Sequence, residues 1–178
     1  MAEAAGRLAG WYRTNKPALR FVGGFALWIG LFSLLFQIPL MDTAVVVPMT
    51  EVLARVSNVG LRLIGFDTHV EGTVISGAEG FAVNILKGCN GAYVLAIYLA
   101  AVLAFPATWK EKALGTALGI PAVQGINLVR IVSLYYIGVR HPALFERFHY
   151  HVWQTVVIIL SLAVWLLWAE LFVKVPDR

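Results

Sequence analysis

The only cysteine of the chain, Cys89, stands in the segment Lys87-Gly88-Cys89-Asn90-Gly91, directly ahead of an apolar run. A thiol at a helix N-terminus meets the positive end of the backbone dipole, which favours the nucleophilic thiolate. The flanking glycines, Gly88 and Gly91, leave backbone N–H groups free to approach a substrate oxyanion. Arg130 lies in the next apolar run and shares a helix face with Asn127, three residues earlier. An ionisable residue inside a membrane span is a functional candidate, and a guanidinium stays charged as a carbonyl oxygen becomes negative. His149 and His151 precede the last apolar run, and either supplies an imidazole that can take a thiol proton. Cysteine as nucleophile, histidine as base and arginine as oxyanion stabiliser make a set suited to acyl transfer through a thioester.

Each residue also has a plainer role. A lone cysteine in an apolar helix is often a small core residue, an arginine near a helix end can snorkel to headgroups, and histidines are common at interfaces. A His-x-His pair with a cysteine is also a metal-ligating set, but the spacing is weak for one. No metal and no cofactor are expected.

Helical rise tests whether the three residue types meet. From Lys110 back to Cys89 is 21 residues, from Lys112 to Arg130 is 18, and from Lys174 back to His151 is 23. At 1.5 Å each these distances are about 32, 27 and 35 Å. A hydrocarbon core of about 30 Å then places all three ends near one membrane face.

The composition supports a membrane setting. Of the 178 residues, 60% are hydrophobic and 13% charged, far from the balance of a soluble domain. The net charge of +4 resides beside apolar runs rather than in a basic stripe with interleaved aromatics, so nucleic acid is not the expected partner. One cysteine excludes an internal disulfide. Arg7, Arg13, Lys16 and Arg20 precede an apolar run too long for a signal-peptide core and without a small-residue cleavage site, which reads as an uncleaved first span.

The expected fold is an all-α polytopic membrane protein, a single membrane-embedded domain over residues 1–178 with about four transmembrane helices. The spans are expected near 21–41, 89–105, 113–139 and 152–173. In the long interval between the first two, Pro48 to about Ile64 has Met49, Val52, Leu53, Val56, Val59 and Leu63 at helical spacing, with Glu51, Arg55, Asn58 and Arg62 opposite. That pattern predicts a helix lying in the membrane interface. Residues 68–76 and 81–86 flank Gly77-Ala78-Glu79-Gly80 and predict a small β-hairpin. Residues 140–150 read as a polar loop. With the N-terminus inside, the inner segments hold eight basic residues (Arg7, Arg13, Lys16, Arg20, Lys110, Lys112, Lys174 and Arg178) against Glu3, Glu111, Glu170 and Asp177, while the outer segments balance. The positive-inside rule therefore puts interfacial helix, hairpin and reactive residues on the outer side.

The Cys89 block, Asn127-Leu128-Val129-Arg130 in the following span and a histidine before the last span resemble the exosortase/archaeosortase family. The short length and Phe148-His149-Tyr150-His151-Val152-Trp153-Gln154 are most similar to its small exosortase H subclass. The resemblance covers roughly residues 20–175. It implies a bacterial inner-membrane cysteine transpeptidase or protease that cleaves C-terminal sorting tails of membrane-anchored proteins and passes them to a surface acceptor. It implies Cys89 as nucleophile and Arg130 as oxyanion stabiliser. It also implies His149 as the histidine, because the family's histidine precedes an aromatic residue by about one turn, as His149 precedes Trp153; His151 is the alternative. Asn90, Gly91 and Asn127 are the expected support for substrate or oxyanion. The rival function is a non-catalytic membrane chaperone or transporter subunit that binds a partner transmembrane helix through Arg130 and Asn127.

In a Cys89→Ala background, single cysteines at positions 71 and 146 are expected to react with an impermeant thiol reagent in intact cells, and a cysteine at 110 is not. Labelling at 110 would invert the topology.

Overall fold

The computed structural model describes the backbone of residues 2–174 and side chains from Thr14 onward. Arg7, Arg13, Glu3, Asp177 and Arg178, which entered the charge balance, lie outside the described side chains. Among the described residues seven α-helices and three short strands follow one another, and four helical stretches are long and apolar enough to cross a membrane. The protein is an all-α polytopic membrane fold with a small sheet.

The first helix, α1 (Ala2–Leu35), ends earlier than the expected span because Pro39 follows. The residue before a proline is disfavoured in the helical region, and Ile38 is extended at φ −78° and ψ 121°. The chain turns there and restarts with Pro39 at the head of α2 (Pro39–Met41), which continues through a π-helical turn (Asp42–Val46) into α3 (Val47–Leu63). The expected interfacial helix is thus the latter part of a continuous 25-residue helix, Pro39–Leu63, itself long and apolar enough to span. The π-turn has a local cause. Pro48 lacks an N–H and its ring crowds the carbonyl four residues back, so the ladder widens just ahead of it.

The packed face of this helix differs from the apolar stripe in the sequence. Thr50, Leu53, Ala54, Ser57 and Leu61 are buried, whereas Val52, Val56, Val59 and Leu63 are exposed. In lipid the tails are as apolar as leucine, so helices associate through small and hydrogen-bonding residues and leave large aliphatics facing outward.

After Gly65 the chain forms a three-stranded antiparallel sheet in the order β1 (Thr68–Glu71), β2 (Val74–Gly77), β3 (Ala82–Asn84). The stretch read as one strand, 68–76, is itself a hairpin. Gly72 takes φ +59°, which only glycine adopts freely, and folds Glu71 opposite Val74. Ile75 of β2 then joins Leu53, Leu61, Ile85, Ile131 and Tyr135 in a core that fastens the sheet between α3 and α5.

The helix α4 (Ala92–Ala104) has 13 residues, about 20 Å, and is shorter than the span expected at 89–105. It packs against α1, with Gly24 against Ala104 and Phe21 edge-on to Phe105. α5 (Trp109–Arg140) opens with a Thr108–Glu111 capping box. Its 32 residues run about 48 Å, enough to cross a core of about 30 Å and project beyond it. Residues 140–150, read as a loop, are helical instead. His141 breaks the chain at φ −141°, and α6 (Pro142–Arg147) starts with proline in its first turn, where the missing N–H costs nothing. A second π-turn (Phe148–Val152) leads into α7 (Trp153–Phe172).

Two glycines let α5 approach its neighbours. A Cβ on Gly115 would collide with the Trp168 indole, and one on Gly119 with the Tyr98 ring. The Tyr98 hydroxyl donates to the Gly115 carbonyl at 2.9 Å, and Trp168 Nε1 donates to the Glu111 carbonyl at 3.0 Å. Gly119→Ala should therefore lower stability by about 1–3 kcal/mol, the usual cost of overpacking, measured by denaturant unfolding in detergent. Unchanged stability would mean that α4 and α5 are not packed this closely.

Candidate active site

Cys89 lies in the turn just before α4. Its backbone N–H and that of Asn90 both donate to the Leu86 carbonyl, at 2.8 and 3.1 Å. Asn90 closes the turn: its Oδ1 accepts from the Ala92 N–H at 3.0 Å. Gly91, the N-cap of α4, has φ +76°. A side chain there would also press on Asn127 and on Gln124 Oε1, both within about 3.2 Å of an added Cβ. Glycine is thus required at 91 twice over, by backbone conformation and by space.

Three elements converge on the thiol. The π-turn before α7 brings His149 Nε2 to 3.0 Å from Cys89 Sγ. Arg130 on α5 reaches the same sulfur with Nη2 at 4.0 Å, a distance at which charge matters more than hydrogen bonding. Phe145, one turn before His149, lies against its ring at 5.5 Å, and Tyr150 flanks it at 4.6 Å. His151, two residues away, is exposed and makes no contact with the thiol. The structure brings Cys89, Arg130 and His149 together and leaves His151 outside.

Electrostatics sharpen the picture. Arg130 is only 4% exposed, yet the ion pairs among the described residues are Arg55–Glu51 and Lys87–Asp42, neither involving it. Its Nε also lacks a protein partner. A buried cation without a counter-ion is costly, and it attracts whatever negative charge develops beside it. The Cys89 sulfur lies within its reach at 4.0 Å.

The expected supporting residues take other places. Asn90 is fully buried, and its amide is committed to Ala92 and to Thr50, to whose hydroxyl Nδ2 donates at 2.7 Å. Asn127 is fully buried beneath Gly91, with both amide atoms unpartnered by protein groups. The N–H groups of Cys89, Asn90 and Ala92 are already used within the turn, so Arg130 is the charged donor nearest the sulfur.

A cleft of about 250 Å³ opens over these residues, walled by β3, Ile131, Leu134, Phe145, Glu146 and Tyr150. Glu146 sits three residues before His149 on the same helical face, a spacing visible in the sequence. The part played by β3 was not visible, since it depends on the sheet folding back over α5. Among the described residues no three His, Cys, Asp or Glu side chains are grouped as a metal would need.

The chain is a helical membrane protein in which a cysteine–histidine pair lies beside a buried arginine. The model for the family described as transmembrane exosortase (Exosortase_EpsH) matches residues 17–169. The chain belongs to the transmembrane exosortase family. Comparison with curated proteins and with solved structures gives no match.

Because Cys89 is the sole cysteine, its reactivity can be read directly. Alkylation by iodoacetamide at neutral pH should slow by about 10²-fold in His149→Ala, the lower end of general-base assistance, and should stay near wild type in His151→Ala. Equal rates in the two variants would separate His149 from the thiol.

Proposed function

We propose that the protein is a cysteine transpeptidase that cleaves the C-terminal sorting tails of membrane-anchored proteins and transfers them to an acceptor, with Cys89 as nucleophile. The observation that carries this reading is the 3.0 Å approach of His149 Nε2 to Cys89 Sγ beside a buried arginine that has no carboxylate partner.

His149 accepts the thiol proton at Nε2, which requires the neutral tautomer protonated at Nδ1. The sulfur attacks the scissile carbonyl carbon, a C–S bond forms, and the carbonyl π electrons move to oxygen. Arg130 Nη2 stabilises that oxyanion in a site largely removed from water. Collapse of the tetrahedral species expels the amine of the tail, which takes the proton held by His149. The product is a thioester on Cys89. An acceptor nucleophile, or water, then gives its proton to His149 and attacks the thioester, releasing the thiolate and the transferred or hydrolysed protein. Asn127 and Gly91 act from beneath the turn, setting its height rather than touching the carbonyl.

The charge bias of the loops supports a site on the outer face of the bacterial inner membrane, where exported, tailed proteins are met. The bilayer then holds enzyme and substrate in one plane, so the cleft need bind only the segment beside the scissile bond.

A membrane-tethered reporter ending in a sorting tail separates catalysis from helix binding. Cys89→Ala should abolish processing while the reporter still co-purifies with the protein, and Cys89→Ser should be nearly as inactive. Arg130→Lys, which keeps charge but loses the planar fork, should lose about 10²-fold or more, as removal of an oxyanion-hole donor does. Processing by Cys89→Ala at the wild-type rate would rule out the thioester and favour a protein that only binds helices.

A further inference from the structure

The helix Pro39–Leu63 contributes no side chain to the cleft over Cys89, yet it grips the nucleophile turn at two points. Thr50 of α3 is 2% exposed and Asn90 fully buried. Asn90 Nδ2 donates to Thr50 Oγ1 at 2.7 Å, and that hydroxyl donates onward to the Val46 carbonyl at 2.7 Å. Since Asn90 Oδ1 is held by the Ala92 N–H, the amide cannot flip without losing both bonds. On the other side of the cysteine, Lys87 Nζ pairs with Asp42 Oδ1 at 2.8 Å and donates to the Phe36 carbonyl at 2.9 Å. The turn from Lys87 to Asn90 is therefore pinned two residues before the thiol and one residue after it.

The π-turn makes this double grip possible. Asp42 and Thr50 are eight residues apart, which on a regular α-helix turns their side chains to faces about 80° apart. The π-turn at Asp42–Val46 inserts one residue, so the eight span about two turns and the two faces come within about 20°. Pro48 induces the widening, and the widening aligns both anchors with the turn.

We propose that Thr50 is a positioning residue for the nucleophile, holding Cys89 through Asn90 at the depth where His149 and Arg130 meet the sulfur, with the Asp42–Lys87 pair as the second anchor. The proposal rests on Cys89 being the nucleophile. It differs from a merely structural role because only the hydroxyl of Thr50, not its bulk, is required. Valine matches threonine in shape but cannot accept from Asn90, while serine restores the hydroxyl without the methyl.

The test uses the full chain in lipid nanodiscs and two probes of its single thiol, neutral iodoacetamide and anionic iodoacetate. Their rate ratio reports how near the sulfur stays to the Arg130 charge. Thr50→Val should slow iodoacetamide by about tenfold, since displacements of about 1 Å cost that much or more. It should also lower the iodoacetate-to-iodoacetamide ratio by about threefold, on the scale of a partly screened ion pair. Thr50→Ser should stay within about twofold of wild type, the worth of a fraction of one hydrogen bond. Asp42→Asn, at a half-exposed pair, should move the ratio in the same direction and decides the matter if Thr50→Val does not fold. Wild-type rates and ratio in both Thr50→Val and Asp42→Asn would overturn the proposal, as would equal impairment by valine and serine. A His149→Ala protein measured alongside keeps the two readings apart. Its insensitivity would refute the cysteine–histidine pair, while the threonine variants would still report on the grip.

Discussion

The burial of Arg130 without a carboxylate partner is the constraint around which the rest of the fold is arranged. A guanidinium kept from water at 4% exposure needs compensating charge or dipoles, and the side chain reaching it is a thiol from another element at 4.0 Å. Pairing Arg130 with an ordinary aspartate would stabilise the resting protein. It would also quench the positive field that the guanidinium presents to the sulfur beside it. The protein instead holds the arginine by packing on a long helix, and the sulfur and imidazole come to it from the turn before α4 and the π-turn before α7.

That delivery explains the irregularities of the helices. α5 is continuous and close-packed, with Gly115 and Gly119 admitting Trp168 and Tyr98, and it serves as the fixed reference. The elements that bring chemistry to it are each interrupted near the site. α4 starts only after a glycine with φ +76°, α7 is entered through a π-turn carrying His149, and the helix bearing Thr50 has its own π-turn. A π-turn shifts the helical phase by one residue, which re-aims side chains beyond it without breaking the backbone ladder. For the π-turn before Pro48 the proline is a sufficient cause; for Phe148–Val152 no local cause is evident.

The sheet has a share in the same arrangement. Its core residue Ile75 packs with Ile131 and Tyr135 of α5 and with Leu53 and Leu61 of α3, so β3 becomes a wall of the cleft. The cleft thus has a wall of sheet on one side, while the packed helices supply its floor.

Sequence alone determined the membrane class and the helical fold, and it singled out the three residue types that the structure brings together. Those follow from composition, run length and the rise per residue, which are properties of the chain read in one dimension. Residue types alone left His149 and His151 open, and only the family resemblance favoured His149, because two positions two apart on a helix lie at nearly the same depth and differ in the direction they face. The tertiary packing decided that direction, turning His149 toward the thiol and His151 to the exposed side. The inward face of the helix Pro39–Leu63 was misleading for a related reason. An apolar stripe signals the core in water, but in lipid it faces outward and Thr50, Ala54 and Ser57 face in. The grip of Thr50 on Asn90 joins residues 40 apart in the chain, and neither residue type announces it. Run length and composition are written into the sequence; facing and partnership arise only when helices of different phase are packed together.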